Sequence, residues 1–263
     1  MVTTTSPDGW LRCYQSDSQA RLRLFCFPYA GGGTSVFYSW PQYLLPEVEV
    51  CPVQLPGREL KLNEPPINRL SPLVETLAQV LLPYLNMPFA FFGHSMGGLI
   101  SFELARQLRK ERKPCPVHLF VSAYRAPQLP DPDPPIHQLP EDEFVAELRN
   151  IGGTPENILQ DAELKNLFLP LLRADIAVCE TYKYTDEAPL DCPISVFGGT
   201  QDGEVNQEEL AAWSNQTCAS FNLCMFPGDH FFLHSAHALV LQVLARASIK
   251  VLRQLDTSTK PVA

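Results

Sequence analysis

Phe91-Phe92-Gly93-His94-Ser95-Met96-Gly97-Gly98 is the stretch whose reading decides the fold. Ahead of it Met87-Pro88-Phe89-Ala90 leads into an apolar β-type run. Behind it Leu99-Ile100-Ser101-Phe102-Glu103-Leu104-Ala105-Arg106-Gln107-Leu108 carries the i, i+3, i+4 spacing of an amphipathic helix. The centre reads G-x-S-x-G, the pattern of a strained strand-to-helix turn that lifts a serine hydroxyl above a parallel sheet. Gly93 and Gly97 let neighbouring backbone approach closely, since a Cβ would collide in so sharp a turn. The helix after Ser95 aims its free N–H groups and positive dipole end at charge developing there. The bare pattern also arises by chance, as a Gly-rich turn with an idle serine. Strand before and helix after favour a nucleophile.

Working outward, residues 1–20 read as a poorly ordered lead-in. Arg21-Leu22-Arg23-Leu24-Phe25-Cys26-Phe27 alternates into a strand, followed by Pro28-Tyr29-Ala30-Gly31-Gly32-Gly33-Thr34. Three glycines after a strand suit a loop that brings backbone N–H groups to a ligand. A flexible turn or a phosphate cradle would look similar, but no Walker lysine follows. Residues 36–45 read as helical and 48–55 as a strand ending in Pro56-Gly57-Arg58-Glu59. Arg58 there suits an anionic substrate or a surface ion pair with Glu59, and the ion pair is favoured. A helix over 71–85 precedes the central stretch, and a buried strand over 116–123 follows it.

Composition changes after Tyr124, with six prolines between Pro127 and Pro140 marking a linker rather than core. Helical stretches follow over 141–150 and 161–184, with Pro170 expected to break or kink the second. Leu167, Phe168, Leu169, Leu171, Leu172, Ile176 and Val178 put apolar side chains on more than one face. Such a helix is packed among its fellows or lines an apolar pocket. The sheet resumes over 193–199, continues over 221–226 and ends in a helix over 235–255. Repeated β-α units around a helical insertion predict an α/β fold with a mainly parallel, doubly wound sheet. The parts are a lead-in (1–20), a first core part (21–124), a helical lid insertion (125–190) and a second core part (191–263).

At 263 residues, 45% of them hydrophobic, the chain can build one such domain with a full core. A net charge of −9 argues against nucleic acid or an acidic membrane surface as partner. It argues less against an acidic protein, because a local basic patch can coexist with a negative total. The eight cysteines (Cys13, Cys26, Cys51, Cys115, Cys179, Cys192, Cys218, Cys224) show no C-x-x-C pair and no metal-ligand spacing. Several sit in strand-like runs, where free cysteine acts as a small hydrophobe. The N-terminal residues lack an apolar signal core, and no apolar run is long enough to span a bilayer. A reducing cytoplasm is the expected compartment.

Ser95, Asp202 and His230 each fall just past a strand, in the order nucleophile, acid, histidine, which is the α/β-hydrolase order. A serine hydroxyl is a poor nucleophile until a base takes its proton, and imidazole titrates near neutrality. A buried carboxylate fixes the imidazole's tautomer and stabilises the imidazolium as it forms. Backbone N–H groups of Met96 and Ala30 are the expected oxyanion donors, worth roughly 2.7–4 kcal/mol each. Among six histidines, His230 alone follows the last strand after a glycine-containing turn. His94 should leave the turn in another direction, His118 lies within a strand and His137 in the linker. His234 and His237 read as solvated. Asp229 competes with Asp202 for the acid, but adjacent side chains on an extended segment point to opposite sides. The spacings of H-E-x-x-H and G-x-G-x-x-G are absent, so neither a metal nor a nucleotide cofactor is expected.

Phe27-Pro28-Tyr29-Ala30-Gly31-Gly32, Leu55-Pro56-Gly57-Arg58-Glu59, Gly93-His94-Ser95-Met96-Gly97-Gly98, Leu171-Leu172-Arg173-Ala174-Asp175 and Gly228-Asp229-His230-Phe231-Phe232 together resemble the type II thioesterases. These are discrete enzymes that work beside polyketide synthases, non-ribosomal peptide synthetases and some fatty acid synthases. The resemblance runs from about residue 20 to 250. It departs at Asp229, where the family usually has glycine. It implies an α/β-hydrolase that cleaves acyl groups held as thioesters on the phosphopantetheine arm of an acyl or peptidyl carrier protein. It also implies that the insertion forms a lid shaping the acyl pocket, with Leu171 and Leu172 as substrate-binding candidates. Editing of stalled or misprimed chains is the expected task. Medium-chain release from a fatty acid synthase, or a non-catalytic carrier-binding module, are the alternatives.

Overall fold

The computed structural model describes residues 3–6, 8–14 and 19–258 and lays the strand-like runs side by side in one sheet. Its strands are β1 (Thr3–Thr5), β2 (Arg12–Tyr14), β3 (Leu22–Phe27), β4 (Val48–Pro52), β5 (Phe89–His94), β6 (His118–Ser122), β7 (Ile194–Gly199) and β8 (Phe221–Phe226). Their order is β1-β2-β4-β3-β5-β6-β7-β8. The six strands from β4 to β8 in that order run parallel, and β1 and β2 join antiparallel at one edge. This is the α/β-hydrolase sheet, with β5 in its interior.

Every residue of β5 is buried, as a parallel strand covered on both faces should be. Alternation sends Phe25, Phe27 and Phe91 to one side and Leu24, Cys26 and Phe92 to the other. The first side is covered by α1 (Leu70–Leu81) and α2 (Met96–Lys110). On α1, Leu70, Leu73, Val74, Leu77 and Leu81 form the buried stripe. The other side is covered by Phe37, Trp40 and the C-terminal helix, through Val240, Leu241 and Leu244.

Between β6 and β7 stand α3 (Glu141–Ile151), α4 (Glu156–Gln160) and α5 (Ala162–Glu180), the helices of the lid region. They share a small core of Phe144, Val145, Leu148, Leu159, Leu169 and Leu172. The second core part adds α6 (Gln207–Ala211), α7 (Phe232–Ser235) and α8 (His237–Ser258). None of the helices among the described residues is long and apolar enough to cross a membrane.

Several expectations are corrected. Most of the lead-in is structured: β1 and β2 pair with each other and β2 with β4, while residues 1, 2, 7 and 15–18 lie outside the described residues. Residues 259–263 of the second core part also lie outside the described residues. The hairpin puts Cys13 across from Cys51, and the two form a disulfide with Cα atoms 4.1 Å apart, so not all eight cysteines are free thiols. The stretch over 36–45 holds two short 3-10 turns, Thr34–Phe37 and Trp40–Gln42, rather than a helix. Finally, α5 continues across Pro170 without a break. Proline removes one N–H donor there, and buried Leu169, Leu171 and Leu172 on either side hold the helix in place.

Candidate active site

The turn after β5 forces Ser95 to φ 52°, a left-handed backbone that side chains rarely adopt. Its N–H donates to Ser122 O at 2.7 Å, tying the turn to β6. Glycine is required on either side of it. A Cβ on Gly93 would lie 1.9 Å from Gly97 O, and one on Gly97 would lie 2.1 Å from Phe27 O. Backbone fills both spaces, so no rotamer change relieves the clash.

His230 reaches this serine from the turn after β8. Its Nε2 lies 3.0 Å from Ser95 Oγ, and its Nδ1 lies 3.0 Å from Asp202 Oδ2 and 3.1 Å from Oδ1. Asp202, past β7, has no exposed side-chain surface and also accepts from the N–H groups of Glu204 and Val205. Those two fixed donors hold the carboxylate in place, so Nδ1–H donates to Asp202 and Nε2 accepts from Ser95. Asp229 does not face the ring of His230; it accepts from the N–H of Phe231 at 2.8 Å, closing its own turn.

His94 is buried and uses both ring nitrogens. Nε2–H donates to His230 O at 3.0 Å, and Nδ1 accepts from Ser122 Oγ–H at 2.8 Å. Burial, reinforced by the nearby His230, holds its pKa well below the ordinary histidine value. The other histidines also have partners: Ser195 for His118, Glu180 for His137, Tyr29 for His234 and Ser39 for His237. His234 is exposed, as a solvated histidine should be, whereas His237 is partly buried.

The loop after β3 turns at Tyr29–Gly32, where Gly32 N–H donates to Tyr29 O at 2.9 Å and Gly31 takes φ 78°. A positive φ at that third position is what a type II turn demands. Ala30 and Met96 line the same cavity as Ser95, and neither N–H has an acceptor among the described residues. Arg58 does not pair with Glu59 on the surface. It is buried and paired with Asp175 of α5. Glu59 instead accepts from the N–H groups of Thr34 and Ser35. Burial opposes its charge, but the hydrogen bonds from Thr34 and Ser35 win and hold its carboxyl below the ordinary range.

A cavity of about 1000 Å³ opens over Ser95 and His230, roofed by the lid helices. Ile136, Leu139, Leu148, Leu172 and Ile176 supply apolar wall, and Glu143, Glu147 and Glu204 carboxylates. Of the two leucines assigned to substrate, only Leu172 lines it. Leu171 lies about 100° round the helix and lines a smaller pocket beside Gly57 instead. Sequence reasoning also missed Tyr29, Tyr124 and Glu204 as cavity residues. Only the last had a signal, two residues past Asp202; burial raises its pKa. The turn between α3 and α4 touches the site as well, because a Cβ on Gly153 would lie 2.1 Å from Phe231 Cζ. Among the described residues, only Cys13, Glu49 and Cys51 cluster closely enough to share a cation, and both thiols there form the disulfide.

Residues 22–247 match the model of the thioesterase domain family. The gramicidin S biosynthesis protein GrsT of Aneurinibacillus migulanus is 48% identical over 246 residues, 94% of this chain and 96% of its own. The medium-chain S-acyl fatty acid synthase thioesterase of Rattus norvegicus is 35% identical, covering 85% of this chain and 86% of its own. The solved structure of the type II thioesterase BorB, from the borrelidin biosynthetic cluster, superposes with a TM-score of 0.83 at 36% identity over 92% of this chain and 99% of that one. With the elbow, the lid helices and this coverage in the same chain, the protein belongs to the type II thioesterases of the α/β-hydrolase fold.

Proposed function

We propose that this thioesterase edits a non-ribosomal peptide or polyketide synthase by hydrolysing acyl groups from the phosphopantetheine arm of its carrier proteins, with Ser95 as nucleophile, His230 as general base and acid, and Asp202 as the orienting carboxylate. The observation that carries the proposal is the hydrogen-bonded line Asp202–His230–Ser95 at the mouth of a roofed cavity. Ser95 Oγ attacks the thioester carbonyl carbon while His230 Nε2 takes its proton. The carbonyl's electron pair moves onto oxygen, where the Ala30 and Met96 N–H groups receive it. Collapse breaks the C–S bond, and the proton on His230 passes to the leaving pantetheine sulfur. Water then attacks the acyl-enzyme, giving one proton to His230, and the tetrahedral intermediate releases the carboxylic acid and restores Ser95.

Leu172 and its apolar neighbours are the expected contacts for the acyl chain, and the helices over 141–180 the lid that closes on it. The cytoplasm, beside the synthase, is the expected setting. Similarity to the rat medium-chain enzyme keeps chain release in fatty acid synthesis as a second reading. Hydrolysis of a panel of acyl carrier proteins, followed by mass spectrometry of the pantetheine arm, tests both. Editing requires acetyl and other short groups to be cleared at least as fast as decanoyl; a strong decanoyl preference selects chain release. A non-catalytic binding module would leave every acyl group on its arm and Ser95 unlabelled by a fluorophosphonate.

A further inference from the structure

Arg58 and Asp175 take no part in the line from Asp202 to Ser95, yet they touch the turn that carries Ala30. The guanidinium meets the carboxylate through two parallel bonds of 2.7 Å, from Nη1 to Oδ2 and from Nη2 to Oδ1. Their side chains are 5% and 3% exposed. Removing two charges from water is costly, and an ion pair this deep repays it only with good geometry and with its remaining donors and acceptors satisfied. Both requirements are met by the loop after β3. Asp175 Oδ2 also accepts from Gly31 N–H at 2.7 Å, and Arg58 Nη1 also donates to Gly32 O at 3.0 Å. The pair therefore holds the N–H of Gly31, the positive-φ residue of the turn, and the C=O of Gly32 that follows it.

Asp175 belongs to α5, a lid helix, whereas Arg58 follows β4 in the core. Leu172, one turn before Asp175, presses the same spot: a Cβ on Gly31 would lie 2.6 Å from Leu172 Cδ2. Leu172 also lines the cavity, so one face of α5 touches both the acyl space and the turn bearing the oxyanion donor. We propose that Arg58 and Asp175 are positioning residues that couple the seating of lid helix α5 to the placement of the Ala30 N–H, so that the oxyanion hole is formed only while α5 is docked. The proposal rests on the reading of Ser95 as nucleophile and Ala30 as donor given above.

The test uses Asp175→Asn and the apolar pair Arg58→Met/Asp175→Leu, the second because it leaves no unpaired buried charge and is the safer variant to fold. Turnover is measured on an acetyl carrier protein. Binding is measured for two pantetheine analogues, a trifluoromethyl ketone and the corresponding non-electrophilic thioether. Ser95 Oγ adds to the ketone carbon, the carbonyl pair moves to oxygen and the serine proton passes to His230, so only this analogue uses the oxyanion hole. Both variants should lose on the order of 10²-fold in kcat, as expected for one misplaced donor. KM and thioether affinity should stay within about twofold, and ketone affinity should fall in step with kcat. A folded apolar-pair variant that keeps wild-type kcat overturns the proposal. So does equal weakening of both analogues, which would make the pair a scaffold for substrate binding alone. Failure of the underlying reading shows separately: the wild-type protein would bind the ketone no better than the thioether, and the coupling would fall with it.

Discussion

Replacing Asp202 by Asn separates the proposed orienting acid from its neighbour Asp229 most sharply. Asp202 accepts three N–H groups: Nδ1–H of His230 and the backbone donors of Glu204 and Val205. An asparagine has one acceptor oxygen and one donor nitrogen in the same fully enclosed space. If the oxygen keeps the two backbone donors, the amide NH₂ faces Nδ1 and selects the tautomer with hydrogen on Nε2. That ring cannot take the proton of Ser95, 3.0 Å away. If the amide flips, its NH₂ meets two backbone donors with no acceptor, so the first arrangement wins. The serine-protease precedent for this tautomer error is a loss of about 10⁴ in turnover, about 5 kcal/mol of activation free energy. A thioester's good leaving group moderates the acylation share of that loss. Asp229→Asn keeps an oxygen for Phe231 N–H and should change turnover little. Both variants are assayed on one acyl carrier thioester at neutral pH, alongside thermal denaturation to verify folding. Wild-type turnover in Asp202→Asn, or the larger loss in Asp229→Asn, would refute the reasoning.

Ser95→Ala should abolish turnover and the transient acyl-enzyme seen by intact-mass spectrometry, while Ser95→Gly should be the more stable of the two because glycine accepts φ 52° without strain. Leu172→Ala enlarges the cavity wall and should shift the preferred acyl length, whereas Leu171→Ala, beside Gly57, should lower stability and leave the length profile unchanged. Burial brings the pKa of His118 down to about 4, so the unfolded chain binds its proton more readily than the folded one. That contribution is complete above pH 6.5 and is lost as pH falls toward 4, with about 2 kcal/mol gone at pH 5. Urea midpoints at pH 8 and pH 5 should therefore converge more in His118→Gln than in wild type; an identical pH dependence would contradict the assignment.

The parallel strands and the elbow were legible because their signals are local. A run such as Phe89–His94, buried on both faces, can only be a central strand, and the glycines of the turn have backbone against their α-carbons. The edge hairpin was not legible, since Thr3–Thr5 and Arg12–Tyr14 are too short and polar to show a period. Without it the partnership of Cys13 with Cys51 had no geometric basis. The ion pair of Arg58 was hidden for another reason: its partner lies 117 residues away, on a helix whose docking no local pattern encodes. Glu59, next in sequence, was the tempting partner, but extended backbone at Arg58 sends adjacent side chains to different places. Leu171 was indistinguishable from Leu172 for a similar reason, because apolar character marks both as buried without saying which cavity each faces.

His94 shows how the fold and the chemistry constrain one another. It follows Gly93 on β5 and precedes the serine, so its ring enters the interior beside the last strand's turn. There it ties the backbone of His230 to the side chain of Ser122, and through Ser122 O the same residue receives the N–H of Ser95. Serine and histidine, separated by 135 positions, are thus referred to one common point on β6. The arrangement works only if His94 stays neutral. Its ring centroid lies 5.7 Å from that of His230, which carries a positive charge at the midpoint of each proposed half-reaction. A second cation at that distance would disfavour the imidazolium that the proposed mechanism has Asp202 stabilise. Complete burial removes the conflict by making the protonated form of His94 the costly one. The turn that must be strained to present Ser95 therefore also brings in an uncharged histidine to brace the backbone of His230, its proposed base.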